Sequence, residues 1–202
     1  MTNNARASSA RTLRMIYAAM YLGIALVLPF VTGQIPEIGK MLSPMHIPVL
    51  LCGFMCGWPW GLAVGLIAPP LRSVLFGMPV MMPGAVSMSF ELATYGLVSG
   101  ILYRCFPRKN KAAQDPTEKR NWKKPARGEL IAIYATLIAA MLAGRVVWGL
   151  ARWALAGAAG GTFTMALFWA GAFTEAVPGI ILHLVLIPAL VAAMERAGLA
   201  LD

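Results

Sequence analysis

Six apolar runs that are nearly free of charged side chains constrain this chain to a bilayer. They cover residues 12–33, 46–57, 61–76, 86–103, 129–154 and 164–194. Of the 202 residues, 59% are hydrophobic and 12% are charged, against about 25% charged in soluble domains. A helix that crosses the hydrocarbon core needs about 20 apolar residues. The sequence therefore predicts an all-α, polytopic membrane protein with six transmembrane helices.

The second and third runs are short and are interrupted by proline. Residues 43–79 read SPMHIPVLLCGFMCGWPWGLAVGLIAPPLRSVLFGMP, with a WPWG segment at 58–61 and a Pro-Pro pair at 69–70. Proline removes a backbone donor and clashes with the preceding helical turn. Broken helices persist in membranes only where protein or a water-filled cavity satisfies the freed groups, and such breaks commonly line binding sites. This stretch indicates a bundle built around a solute pocket.

The basic residues flank the apolar runs and predict the orientation of the chain. The net charge is +9, and nine of the seventeen basic residues lie in the linker 104–127. Under the positive-inside rule, the tail 1–11, this linker and both termini are cytoplasmic, and the membrane domain covers 12–196. The charge is thereby explained without a nucleic-acid partner. We expect a multi-pass protein of the cell membrane.

Four titratable residues lie inside the apolar runs. They are Glu91, Arg145, Glu175 and His183. A central charge costs about 2.5–3.5 kcal/mol on insertion scales, so such residues persist mainly for pairing or function. At about 1.5 Å of rise per residue, Arg145 and Glu175 have matching depths. Either they form a buried ion pair that fixes two helices, or Arg145 holds an anionic ligand. His183 is more simply a core histidine, and His46 an interfacial one.

A stripe on the fifth run indicates what the ligand is. Arg145, Trp148 and Arg152 share a helix face through their i, i+3, i+7 spacing. Guanidinium groups recognise carboxylates and phosphates, and an indole ring can stack on a ligand. The candidate substrate-binding residues are Arg145, Trp148, Glu91, Glu175, Arg72, Arg152 and Tyr95. No metal site and no cofactor are expected.

Motifs for enzymatic chemistry are missing from the sequence. There is no GxxxxGK[ST] loop to cradle phosphates. The segment at 96–100 reads GLVSG, one residue longer than an intramembrane serine protease requires. We therefore expect no enzyme, and ATP hydrolysis would belong to other subunits.

The pattern as a whole resembles a known family. The number of runs, the short second and third runs, the Pro/Gly breaks and the basic linker contribute to the resemblance. So do the stretch that starts at His46, the stretch MSFELATYGLVSGILYR at 88–104 and AGRVVWGL at 143–150. Over Leu13 to Glu195 the chain resembles the vitamin-transporting S component of an energy-coupling factor (ECF) transporter of prokaryotic plasma membranes.

The resemblance implies a function and partners. S components bind a vitamin from outside and associate with a transmembrane coupling protein and two cytoplasmic ATPases. The family docks through an AxxxA-type motif on its first helix, for which Ala19-x-x-x-Gly23 is the nearest match. Small residues at this spacing let helices approach closely, so internal packing is the alternative. Pantothenate is the first substrate candidate, and folate, a corrinoid or another small vitamin stays open. A stand-alone transporter or channel and a membrane enzyme are the alternative functions.

Overall fold

All regular secondary structure in the described part of the chain is helical. The computed structural model describes residues 2–32, 43–106, 127–162, 164–174 and 176–197. We number its α-helices α1 Thr2–Val27, α2 His46–Cys56, α3 Trp58–Phe76, α4 Val86–Cys105, α5 Arg127–Ala158, α6 Met165–Trp169 and α7 Val177–Arg196. A 3₁₀ turn, Leu28–Thr32, extends α1. A kinked turn, Met81–Ala85, in which Met82 has the extended angles φ −116° and ψ 130°, precedes α4, and a π-turn, Ala170–Thr174, follows α6.

Membrane-spanning length is reached in five segments of the described chain. They are Ser8–Phe30, Trp58–Phe76, Met81–Cys105, Arg127–Ala158 and Met165–Arg196. Helix α2 is a shorter apolar helix, and all eleven of its residues are buried. Its short length is tolerated because its neighbours shield it from lipid. The predicted all-α, polytopic class is therefore confirmed.

The bounds of the first three predicted spans differ from those of the helices in the structure. Helix α1 begins at Thr2 rather than at residue 12, so the residues predicted as a tail are helical. Only Gly57, at φ 93°, separates α2 from α3. The WPWG segment therefore belongs to a helix and does not connect two helices. Trp58 already opens α3, and Pro59 lies in the first helical turn. Its missing N–H removes no helical hydrogen bond at that position. Helix α3 also continues through the Pro-Pro pair at 69–70.

The last predicted span is broken. A continuous helix over 164–194 was expected, but α6 passes into the π-turn Ala170–Thr174 and α7 starts only at Val177. π-turns inside helices occur frequently at functional sites. Because of this break, His183 lies in the second turn of α7 rather than in the interior of one long helix.

Glycines bring α2, α3 and α4 into backbone contact. A Cβ added to Gly61 would lie 2.7 Å from the carbonyl oxygen of Gly96, and one added to Gly53 would meet the same oxygen at 2.7 Å. Small residues permit this approach of helix backbones. We call Gly53, Gly61, Gly65, Gly96 and Gly100 the glycine seam. The seam fixes how α4 is rotated, and α4 packs against α2, α3 and α5.

Polar contacts mark the end of the bundle where Cys105 and Arg127 border the linker, which we call the linker end. The hydroxyl of Tyr103 donates to Glu195 Oε1 at 2.6 Å. The guanidinium of Arg104 donates to the Cys56 carbonyl at 3.4 Å. These bonds bring the last residues of α2, α4 and α7 together at the linker end.

Candidate functional site

A buried carboxylate on α4 is the centre of the site. Glu91 is 2% exposed, and its Oε1 accepts a hydrogen bond from the Tyr95 hydroxyl at 2.8 Å. Tyr95 lies one turn further along the same helix face. Arg145 reaches the same oxygen from α5, with its Nη1 at 3.2 Å. A buried charge is tolerated when it is paired and hydrogen-bonded, and Glu91 meets both conditions.

Two histidines complete the group. The Nε2 of His46 lies 3.5 Å from Glu91 Oε1, and the ring centroids of His46 and Tyr95 are 5.2 Å apart. The ring of His183 stacks on that of His46 at 5.7 Å and 29°. Both histidines are 2% exposed. We call Glu91, Tyr95, Arg145, His46 and His183 the polar cluster; it joins α2, α4, α5 and α7.

The hydrogen bond at the other ring nitrogen of His46 fixes its protonation at that position. Its Nδ1 lies 3.0 Å from the carbonyl oxygen of Ser43. A carbonyl only accepts hydrogen bonds, so Nδ1 carries a proton. In the neutral ring Nε2 then has a lone pair, which faces the Glu91 carboxylate. Only the protonated ring has a donor on that side.

Three nitrogens of the polar cluster are buried and lack a hydrogen-bond partner among the described residues. They are Nε2 of His46, Nε of Arg145 and Nε2 of His183. The 3.5 Å approach of His46 to Glu91 is an ion-pair distance whose geometry does not make a hydrogen bond. Leaving a buried polar atom unbonded costs about 1–3 kcal/mol. Their convergence favours a place where a polar ligand group is bound.

Trp148 and Arg152 lie together one to two turns beyond Arg145. The guanidinium carbon of Arg152 is 5.7 Å from the centre of the Trp148 ring, as the predicted stripe requires. The Trp148 ring also packs near Phe168 of α6, at 6.5 Å between centroids. A Cβ added to Gly171 would lie 2.7 Å from Trp148 Cη2. The first π-turn residues after α6 thus close against α5; a ligand contact for Trp148 or Arg152 stays a prediction.

Arg72 lies between the end of α1 and the end of α3. It is 3% exposed and donates to the Leu26 carbonyl at 2.5 Å. Its guanidinium carbon lies 5.1 Å from the Phe30 ring and 5.4 Å from the Phe76 ring. These contacts join the end of α1 to the end of α3. A role for Arg72 in ligand binding stays a prediction.

Sequence reasoning missed the histidines and left the partner of Arg145 open. Glu175, the partner considered, lies outside the described residues, and the described ion pair of Arg145 is with Glu91. His46 had been read as interfacial and His183 as a core residue. The available signal was that the chain has only two histidines and that both occur in apolar runs.

The small-residue pair on α1 lies on the outer surface of the described bundle. Ala19 and Gly23 are exposed, whereas Ala18 and Ala25 face the core. No described atom lies within 4 Å of a Cβ built on Gly23. Within the described residues, this pair therefore does not serve internal packing.

Comparison with known proteins gives one match. Residues 13–191 match a family model described as the ECF transporter, substrate-specific component. No match was found among curated proteins or among solved structures.

Proposed function

The chain belongs to the family of ECF transporter substrate-specific components, and we propose that it captures a small vitamin with high affinity from outside the cell. Members of this family are substrate-binding subunits of transporters rather than enzymes. The observation that supports the proposed site is the polar cluster, with its Glu91–Arg145 pair and its buried, unbonded nitrogens.

The position of the polar cluster supports entry from outside. Glu91 and Tyr103 are separated by about 18 Å along α4 at a rise of about 1.5 Å per residue, and Tyr103 lies at the linker end. The basic linker is cytoplasmic under the positive-inside rule. A cluster in the opposite half of the bundle would then be reached from the outer face.

A carboxylate-bearing vitamin is the proposed substrate, with pantothenate first and folate, a corrinoid or another small vitamin as alternatives. The unbonded Nε of Arg145 is a charged donor, and hydrogen bonds between charged partners are about twice as strong as neutral ones. Trp148 offers an aromatic surface three positions after Arg145, just under one helical turn away. Together they fit a molecule with one anionic end and a less polar body.

Delivery of the vitamin would depend on partner subunits. The sequence has no phosphate-cradling loop, so we propose that a transmembrane coupling protein and two cytoplasmic ATPases supply the energy. The exposed Ala19 and Gly23 on α1 support a docking surface for the coupling protein, because an open small-residue notch lets a second helix approach closely. The proposed location is a prokaryotic plasma membrane.

The test combines identification of the ligand with one matched pair of variants. Native mass spectrometry of the purified protein would identify a co-purified vitamin, and calorimetry would measure its affinity. Arg145→Lys keeps the positive charge beside Glu91 but loses the planar fork, so we expect affinity to fall about tenfold or more. Arg11→Lys, at an exposed arginine of α1, should bind like the native protein.

Three results would contradict the proposal. Unchanged affinity in Arg145→Lys would remove Arg145 from the binding site. ATP-independent uptake into vesicles that contain this chain alone would favour a stand-alone transporter, and turnover of a compound by the purified chain would favour an enzyme.

A further inference from the structure

The charge balance of the polar cluster has a consequence for how an anion binds there. With neutral histidines, Glu91 and Arg145 cancel each other, and their shared contact is 3.2 Å long. A carboxylate entering this buried group would add an uncompensated negative charge. Isolated buried charges are strongly disfavoured, so an anionic ligand needs one further positive charge.

His46 is the group placed to supply that charge. Its Nδ1–H is already committed to the Ser43 carbonyl, so a proton gained by the ring goes to Nε2. That nitrogen lies 3.5 Å from Glu91 Oε1 and has no hydrogen-bond partner among the described residues. Protonation replaces a lone pair that faces a carboxylate with a donor. Imidazole is the side chain that changes charge near neutral pH.

We propose that His46 takes up one proton when a carboxylate ligand binds at the polar cluster, so that the anion and the proton bind together. The inference rests on the proposed function, since it assumes that the ligand is anionic. After binding, Glu91 and the ligand are both negative and Arg145 and His46 are both positive. The proton comes from solvent and goes to Nε2 of His46; no other bond is made or broken.

The groups around His46 are consistent with this assignment. From α4 it faces Glu91 and Tyr95, and from α7 it faces His183. From α5, Arg145 shares its Glu91 oxygen. On α1, Arg14 and Tyr21 lie beside the cysteines Cys52 and Cys56, one to two turns and more further along α2, and Tyr17 lies beside Tyr21. On α3, the buried Arg72 contacts the end of α1.

His183 lies in the same group but differs in one respect. It stacks on His46, yet no ion pair to Glu91 is found for it among the described residues, whereas His46 has one. A proton on His183 would also lie against a second, protonated imidazole. The added proton is therefore assigned to His46 rather than to His183.

The experiment is calorimetry of the whole chain in detergent with three carboxylate vitamins and their uncharged analogues. The pairs are pantothenate and pantothenol, nicotinate and nicotinamide, and biotin and biotinamide. Each titration is run at pH 7 in phosphate and in Tris, whose different ionisation enthalpies report the number of protons taken up. We expect about one proton for the vitamin that binds and none for its analogue.

The pH profile and two variants complete the test. Between the titration range of the free protein and the higher one of the complex, affinity for the carboxylate should fall by about tenfold per pH unit as pH rises. His46→Asn should abolish the proton uptake, whereas Thr94→Val, at a residue of α4 outside the polar cluster, should retain it. If His46→Asn does not fold, the proton count and the pH profile of the native protein still decide the matter.

The outcomes separate the two proposals. Tight binding of a carboxylate vitamin without proton uptake would overturn the role of His46 and leave the proposed function intact. Proton uptake that survives in His46→Asn would do the same. Equal affinity for a vitamin and its uncharged analogue between pH 5.5 and 8 would overturn both the anionic substrate class and the inference that depends on it.

Discussion

The Glu91–Arg145 ion pair makes a prediction that separates its structural role from ligand binding. Glu91 is 2% exposed and Arg145 is 8% exposed. Removing one member of a buried pair leaves an uncompensated charge and costs about 3–5 kcal/mol, whereas replacing both members is often nearly neutral. We therefore expect Arg145→Met and Glu91→Gln each to lower the free energy of unfolding by about 3 kcal/mol or more.

The double variant provides the decisive comparison. Glu91→Gln combined with Arg145→Met should be more stable than the sum of the single effects predicts, by about 2–3 kcal/mol. The glutamine still offers Tyr95 an oxygen acceptor at the position of the 2.8 Å bond. The double variant should nevertheless not bind a carboxylate vitamin, because the guanidinium is gone.

Unfolding by sodium dodecyl sulfate in mixed micelles, followed by tryptophan fluorescence, would measure these free energies. Thr94→Val is the control, since Thr94 lies on α4 but donates its hydrogen bond to the Phe90 carbonyl of its own helix. Combined with Arg145→Met it should be additive. A coupling energy near zero between Glu91 and Arg145 would refute the ion pair, and native affinity in the double variant would refute the binding role.

Three further predictions concern other parts of the bundle. Gly96→Ala should destabilise the protein by about 1–3 kcal/mol in the same unfolding assay, because its Cβ would overlap the backbone of Gly61. Gly128→Ala is the control, since no described atom lies within 4 Å of a Cβ built on Gly128. Equal stability of the two variants would refute close packing at the glycine seam. Gly23→Leu should block co-purification with the coupling protein and keep vitamin affinity; normal assembly would refute docking at α1. Trp148→Ala should weaken vitamin binding by about tenfold, as for loss of about 1–1.5 kcal/mol of aromatic contact; unchanged affinity would exclude stacking.

The class of protein and the presence of two buried charged residues could be predicted from the sequence, because both follow from composition and from the order of residues along the chain. The apolar runs and the linker charges are properties of composition and order. Glu91 and Arg145 stand out because a charge in an apolar run has a high insertion cost. Their role in binding stays a prediction, but their burial was open to inference from the sequence.

The contacts among the site residues could not be read in the same way. Whether Arg145 meets Glu91 or Glu175 depends on how each helix is rotated, and that rotation is set by packing at positions such as Gly61 and Gly96. His46 and His183 stack, and the helix that carries His183 restarts at Val177 after a π-turn. No periodicity in the apolar run announces such a break.

The glycine seam also bears on how a bound molecule could leave. Helices α2, α3 and α4 meet at backbone atoms and at the short side chain of Ser99, so we expect these three helices to translate as one block. We then expect any opening movement to involve the opposite side of the bundle, which is formed by α5 and the interrupted α6–α7 segment. The bound molecule would then leave on the side of α5 and the α6–α7 segment, while α2, α3 and α4 keep their positions relative to one another.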